Sequence, residues 1–191
     1  MSKFRQFGAF ATVLAFCAIG AATASASTFT VSATGELSGK ALETQTFAFN
    51  GGTVKCSGAD TTGTVSSSSF TELVLETQFT GCTAFGVASV HLSKFSYDAT
   101  SNGTVHILKP MTITVTKTLF TGHCTATVAA QTVGTDDFAN LIAGNMKVVP
   151  TIANIKYSST GGVCGTEGEN GTFSGASEIQ RVGGGTIAWD A

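Results

Sequence analysis

The run FTELVLETQFTGCTAFG, Phe70 to Gly86, decides the fold class. Leu73, Leu75, Thr77 and Phe79 alternate with Val74, Glu76 and Gln78, the period of two that marks a strand with one buried face. Its ending, Phe79-Thr80-Gly81-Cys82, recurs with one inserted residue as Phe120-Thr121-Gly122-His123-Cys124. Both endings follow Thr-rich, β-branched stretches, and both read as strand ends or corners stapled by disulfides.

The same alternation extends in both directions. Phe29, Val31, Ala33 and Gly35 oppose Thr30, Ser32, Thr34 and Glu36. Leu42 to Asn50 ends in Phe47-Ala48-Phe49, and Asn50-Gly51-Gly52 is a hairpin turn leading to Thr53-Val54-Lys55-Cys56. Gly58 to Gly63 reads as a turn or loop, Thr64 to Ser69 as an exposed edge strand or loop, and Tyr97 to Gly103 as a turn cluster. Met111, Ile113 and Val115 against Thr112, Thr114 and Thr116 give the clearest strand, with a tight hairpin at Gly122-His123 into Cys124, Ala126 and Val128. Asp136 to Gly144 is the one expected helix, capped by Asp136 or Asp137 and stopped by Gly144. Val148 to Tyr157 carries Pro150, an edge-strand signature, and Ser158 to Gly171 reads as a long Gly-rich loop.

Short strands with frequent turns predict an all-β, antiparallel, disulfide-stapled β-sandwich or irregular β-barrel. An outer-membrane barrel needs strands of about ten residues with an apolar outer side, and several here are too short or too polar.

The N-terminus sets the compartment. Lys3 and Arg5 precede an apolar run from Phe7 to Ala22, and Ala24-Ser25-Ala26 is a small-x-small cleavage pattern. Residues 1–26 are therefore expected to be a signal peptide and residues 27–191 a single all-β domain, secreted or held in the cell envelope, with no transmembrane segment after processing. Cleavage takes the formal charge from −2 to −4 by removing Lys3 and Arg5, so bulk charge offers nothing to nucleic acid.

Export gives the cysteines their meaning. Cys17 leaves with the leader, and Cys56, Cys82, Cys124 and Cys164 make an even set suited to two disulfides. Of three pairings, the local one (Cys56 with Cys82, Cys124 with Cys164) is preferred. The nested one, Cys56 with Cys164 and Cys82 with Cys124, would bring the two Phe-Thr-Gly corners side by side.

No catalytic residues are assigned. His91, His106 and His123 belong to no metal or triad spacing, and no G-x-S-x-G phrase places a nucleophile. No metal or cofactor is expected. Glu167 and Glu169 in TEGENG come nearest to a hard-cation loop but lack its dense Asp/Asn alternation. Tyr157, Trp189 and Phe85 are the rings expected near a ligand surface.

The phrase Phe79-Thr80-Gly81-Cys82-Thr83-Ala84-Phe85-Gly86, with the strand after Cys124, resembles a group of uncharacterised secreted, cysteine-paired all-β proteins of actinobacteria, a resemblance that implies no known activity. Phe29 to Leu37 is similar to the donor strand of chaperone–usher pilins, although four cysteines depart from the usual single pilin disulfide. The expected function is a secreted or cell-envelope structural or surface-interaction protein without catalytic activity. The alternatives are a carbohydrate-binding module and a self-assembling adhesin- or pilin-like subunit. The corresponding partners are a cell-wall or extracellular polysaccharide, or further copies of the chain.

Overall fold

A computed structural model describes residues 27–50, 52–84, 88–117, 122–161 and 165–191. In it the deciding stretch is a 13-residue strand, β6 (Glu72–Ala84), whose Leu73, Leu75, Thr77 and Phe79 are all buried. The strands before it are β1 (Thr28–Val31), β2 (Gly35–Ala41), β3 (Gln45–Phe49), β4 (Gly52–Val65) and β5 (Ser69–Phe70). After it come β7 (Ala88–Leu92), β8 (Phe95–Thr100), β9 (Thr104–Ile107), β10 (Met111–Lys117) and β11 (Gly122–Val128). The chain ends with β12 (Gln131–Asn140), β13 (Met146–Thr160), β14 (Gly168–Ser174), β15 (Ser177–Arg181) and β16 (Ile187–Asp190). Every pairing is antiparallel, and the described residues contain no helix.

Thirteen strands form one sheet that closes on itself twice. An upper circuit runs β15, β2, β4, β6, β8, β9, β12, β13 and back to β15. A lower circuit runs β3, β4, β6, β7, β10, β11, β13, β14 and back to β3. The long strands β4, β6 and β13 serve both circuits, so each changes neighbour partway along. A small separate sheet, β16-β1-β5, covers the upper circuit. The larger buried cluster fills the lower circuit with Phe47, Phe79, Met111, Ile113, Val128, Ile155 and Phe173, and extends beneath β8 and β9. The second cluster joins Leu37, Leu73, Leu75, Phe138, Met146 and Ile179 to Phe29 and Ile187 of the covering sheet. Apolar side chains thus point inward, while Thr112, Thr114, Thr125 and Thr127 lie on the opposite face of β10 and β11. That arrangement is the reverse of a membrane barrel's apolar exterior.

Several sequence expectations give way to this closure. Gly81-Cys82 does not end a strand, because β6 continues to Ala84, with Gly81 at φ of 61° within it. Gly58 to Gly63 is not a loop but the middle of β4, where β2 and β6 press in from both edges. A Cβ on Gly63 would meet the Val74 carbonyl oxygen at 2.8 Å, so the glycine serves close approach rather than turning. Thr64 and Val65 finish the same strand, and Ser66 to Ser68 carry the bend into β5. Tyr97 lies within β8, the turn being confined to residues 101–103. Thr104 onward follows the expected strand. The hairpin between β10 and β11 is present, with Lys117 paired to Gly122, so Gly122-His123 begins a strand instead of forming the turn. The expected loop from Ser158 shrinks at both ends, because β13 runs to Thr160 and β14 starts at Gly168.

The expected helix is strand. Asp136 to Asn140 belongs to β12, paired with β13 from Thr135↔Thr151 to Asn140↔Met146. The β13 ladder along Asp136 to Asn140, with the Asp136 N–H bonded to the Gly103 carbonyl, overrides a weak local helix preference. Gly144, with φ of 78°, closes the hairpin to β13 instead of capping a helix. Pro150 is likewise not on an edge strand. It lies on β13 between the last pair with β15, Val148↔Ser177, and the first with β14, Thr151↔Ser174, a gap in the ladder where a missing N–H is tolerated.

At two places where a shared strand changes neighbour, on β13 and on β6, backbone groups lose their ladder and a side-chain amide takes over. Gln131 donates from Nε2 to the Lys156 carbonyl at 2.8 Å, and its Oε1 accepts the Lys156 N–H at 2.9 Å, bridging the gap on β13 between β12 and β11. Gln78 donates to the Leu92 carbonyl at 3.2 Å between β8 and β7. Buried Gln45 donates to the Glu43 and Ala176 carbonyls, each at 3.0 Å, between the upper and lower loops. Asn140 does the same for the covering sheet: it accepts the Trp189 N–H at 2.8 Å and donates to the Trp189 carbonyl at 2.9 Å, occupying the outer edge of β16.

Candidate functional site: the outer face of the upper circuit

Because β2, β4, β6, β8 and β9 pair in register, their outward residues form rows across the sheet. One row runs Gln180, Ser38, Thr62, Glu76 and Ser96. A second takes Glu36 and Thr64, then Val74, Asp98, His106 and Thr132. Between and around these rows lies a groove of about 600 Å³ lined by Ser38, Thr62, Thr64, Ser96, Val74, Leu108 and Val182, among others. Val74, Leu108 and Val182 are 47%, 42% and 45% exposed, and three such side chains in one depression are unusual on a face otherwise built of hydroxyls and charges.

The charges at the groove are arranged locally. Glu76 lies 3.3 Å from Lys109 and 3.6 Å from Lys94. The Lys109 hydrogen bond and charge, then Lys94, hold the Glu76 carboxyl below its ordinary range. Glu36 stands exposed on the far side.

At the end of the second row an acid, an imidazole and a hydroxyl are neighbours. His106 Nδ1 is 2.8 Å from Thr132 Oγ1. Burial raises the Asp98 carboxyl, opposed first by the His106 charge, and Asp98 Oδ1 is buried without a hydrogen-bond partner. Only the imidazole and the Thr132 hydroxyl are joined by a side-chain hydrogen bond, so the three groups are neighbours in register, not a relay. Periodicity alone could have placed Asp98 and His106 on outward faces, but only the register makes them adjacent.

The other sequence-derived residues fall elsewhere. Cys56 and Cys82 are bonded to one another directly across the β4–β6 ladder. This local bond excludes the nested pairing for those two. Cys124 is disulfide-bonded and buried, whereas Cys164 lies outside the described residues. Tyr157 is not a surface ring. It is 6% exposed, packs 4.7 Å from Phe49 between ring centroids, and its hydroxyl accepts the Asn50 N–H at 2.8 Å. Trp189 is half-buried, with its indole N–H donating to the Ser101 carbonyl at 2.8 Å and its ring 5.8 Å from Phe138. Phe85 lies outside the described residues. Glu169 is engaged by Lys156 at 3.2 Å, and both line, with Glu167 and Thr127, a separate depression beside β13 and β14. Among the described residues no group of three or more His, Cys, Asp or Glu side chains is placed to hold a metal ion. His91 and His123 are exposed and apart from these features.

The donor-strand likeness also dissolves. β1 lies between β16 and β5, and β2 lies between β4 and β15, so Phe29 to Leu37 already has partners within its own chain. The segment is also two strands, broken at Ser32 to Thr34, instead of one. No family model, curated protein or solved structure matches this chain. Among the described residues, no helix is long and apolar enough to cross a membrane.

Proposed function

We propose that this chain is an exported, non-catalytic surface-interaction protein. Its binding face is the groove on the upper circuit, and its partner is a neutral polysaccharide of the cell surface or wall. The observation that carries the reading is the groove itself, with Val74, Leu108 and Val182 exposed among Ser38, Thr62, Thr64 and Ser96. Hydroxyls beside branched aliphatic groups offer hydrogen bonds and C–H contact together, the combination a sugar chain presents in return. Glu76 is matched by two lysines and Glu36 adds a second negative charge across the groove, so neither sign dominates to select an ionic partner. The Cys56–Cys82 bond and the leader-like residues 1–26 support export, since such bonds persist in oxidising compartments.

Two measurements test this reading. N-terminal sequencing of protein recovered from the medium or envelope should begin at Ser27. Intact residues 1–26 on a cytosolic protein would overturn export. Pull-down on insoluble neutral glycans should retain the wild type and lose Val74→Asp/Leu108→Asp, with the far-ultraviolet spectrum unchanged. Equal retention of both proteins would remove the groove from the proposal.

A further inference from the structure

Asp136 is the least expected side chain in the interior. It is 3% exposed, and neither carboxylate oxygen has a hydrogen-bond partner. It sits on the inward face of β12 between Val133, which belongs to the lower cluster, and Phe138, which belongs to the upper one. Here β12 also changes partner: β9 pairs up to Thr135, with a bulge between Val133 and Thr135, and β13 pairs from Thr135 onward. Gly134, with φ of 51°, turns the strand at that bulge. The main-chain N–H of Asp136 donates to the Gly103 carbonyl at 2.7 Å, so the backbone is fixed while the carboxyl is left alone.

Its surroundings offer no compensating charge. From β8 it feels Tyr97, whose phenol is raised by burial first and by Asp136 second, and which bonds to Thr77. Tyr97 packs against both clusters. From β12 itself comes Asp137, a like charge. The inward residues of β9 are Val105 and Ile107, those of β13 include Val148 and Ile152, and β16 contributes Ile187. His106 and Lys147 lie on outward positions of β9 and β13, Lys147 being 3.8 Å from Glu43. Pro150, the register partner of Asp136, lines a small internal space with Gln45, Thr77 and Tyr97.

We infer that Asp136 is a proton-operated latch between the two circuits, closed while its carboxyl is neutral and loosened when it ionises. A neutral carboxyl can be buried between two apolar cores, whereas an unpaired carboxylate there demands water. Opening the seam hydrates Asp136, and the opened state favours the ionised form. Cys56 and Cys82 pair at the end of β4 and β6 that meets β3 and β7, so the lower circuit holds the bond, and the upper circuit, where β4 meets β2 and β6 meets β8, is the part that yields.

Burial, then Asp137, raises Asp136 from 3.8 to about 7, which sets the window. Below pH 4 the carboxyl is neutral in both states and the latch is fully closed. Between about pH 4 and 7 the opened state ionises first, so opening increases up to tenfold per pH unit. Above about pH 7 both states are ionised and the dependence levels off.

Amide hydrogen exchange on the oxidised chain, corrected for the intrinsic pH effect, reads this directly. Protection in β2, β15 and residues 136–140 should fall across that window, while β10 and β11 stay constant. Asp136→Asn should hold the upper circuit's protection constant throughout. The same pH profile in the variant, or an equal loss in both circuits, would overturn the latch. If Asp136→Asn does not fold, carbon-13 titration of the wild-type Asp136 carboxyl decides: a midpoint near 7 sustains the proposal and one in the ordinary carboxyl range refutes it.

Discussion

Removing the Cys56–Cys82 bond should destabilise the chain by a definite amount without changing its pairing. The two cysteines are 26 residues apart and directly opposed in the β4–β6 ladder, flanked by Lys55↔Thr83 and Gly58↔Thr80. The register is therefore fixed by backbone pairing on both sides, and the bond mainly limits the unfolded chain. For a closed loop of this length the chain-entropy relation gives about 3.5 kcal/mol at 25 °C. In a domain of this size that corresponds to a fall in Tm of about 7–14 °C. The variant to use is Cys56→Ala/Cys82→Ala, since Cys56 is fully buried and a serine would place an unpaired hydroxyl in the core. Urea unfolding of the oxidised wild type and the double variant, each with Cys124 left oxidised, gives the difference. The unfolding slope should rise in the variant, because its unfolded chain is freer to expand. A loss below about 1 kcal/mol would refute the reasoning, showing that the unfolded chain already keeps β4 beside β6.

Three further outcomes follow from the same contacts. Asp136→Asn should stabilise the fold at pH 8 by up to about 4 kcal/mol and have little effect below pH 4; a constant difference between those pH values in chemical denaturation would contradict the assigned ionisation. Gln131→Ala should cost about 1 kcal/mol and raise exchange at Lys156 and its neighbours first, because two main-chain groups pass to solvent; unchanged exchange there would show that water serves equally well. Phe29→Ala removes a fully buried ring that packs 4.9 Å from Phe138 and 5.5 Å from Phe70, and should cost about 3–5 kcal/mol in thermal or denaturant unfolding; a loss under 1 kcal/mol would mean that the covering sheet is dispensable.

The strands that alternate cleanly were legible because each needs only one buried face. Leu73 to Phe79 and Met111 to Val115 fall where their period of two puts them. The hairpin at Asn50 was equally local: Phe49 pairs with Gly52, as the turn residues require. What the sequence concealed was length and sharing. Gly58, Gly63 and Gly81 read as punctuation, yet they lie inside strands of 14 and 13 residues, where the neighbouring chain leaves little room for a side chain. Asp136 misled for a related reason. A polar residue after Thr135 resembles a cap until it is known to pair with Pro150 of β13 and to bond the Gly103 carbonyl. The groove was hidden more deeply, since Val74, Leu108 and Val182 come from separate parts of the chain and only the register of β2, β6 and β9 brings them together.

Closure also constrains how such a chain can meet a partner. Every strand of the large sheet has a neighbour on each side over at least part of its length, and the gaps left at strand exchanges are bridged by Gln131, Gln78 and Gln45. Even the outer edge of β16 is engaged by Asn140. A partner that adds a strand must first displace one of these bonds, and it would gain little from the two-residue β5. Binding through faces meets no such barrier, because Thr62, Thr64, Val74 and Glu36 of the outward rows are already exposed and held by ladders. The same bracing gives a face its fixed spacing of hydroxyl and aliphatic groups, which is the property a repeating polymer can match and a free edge cannot supply.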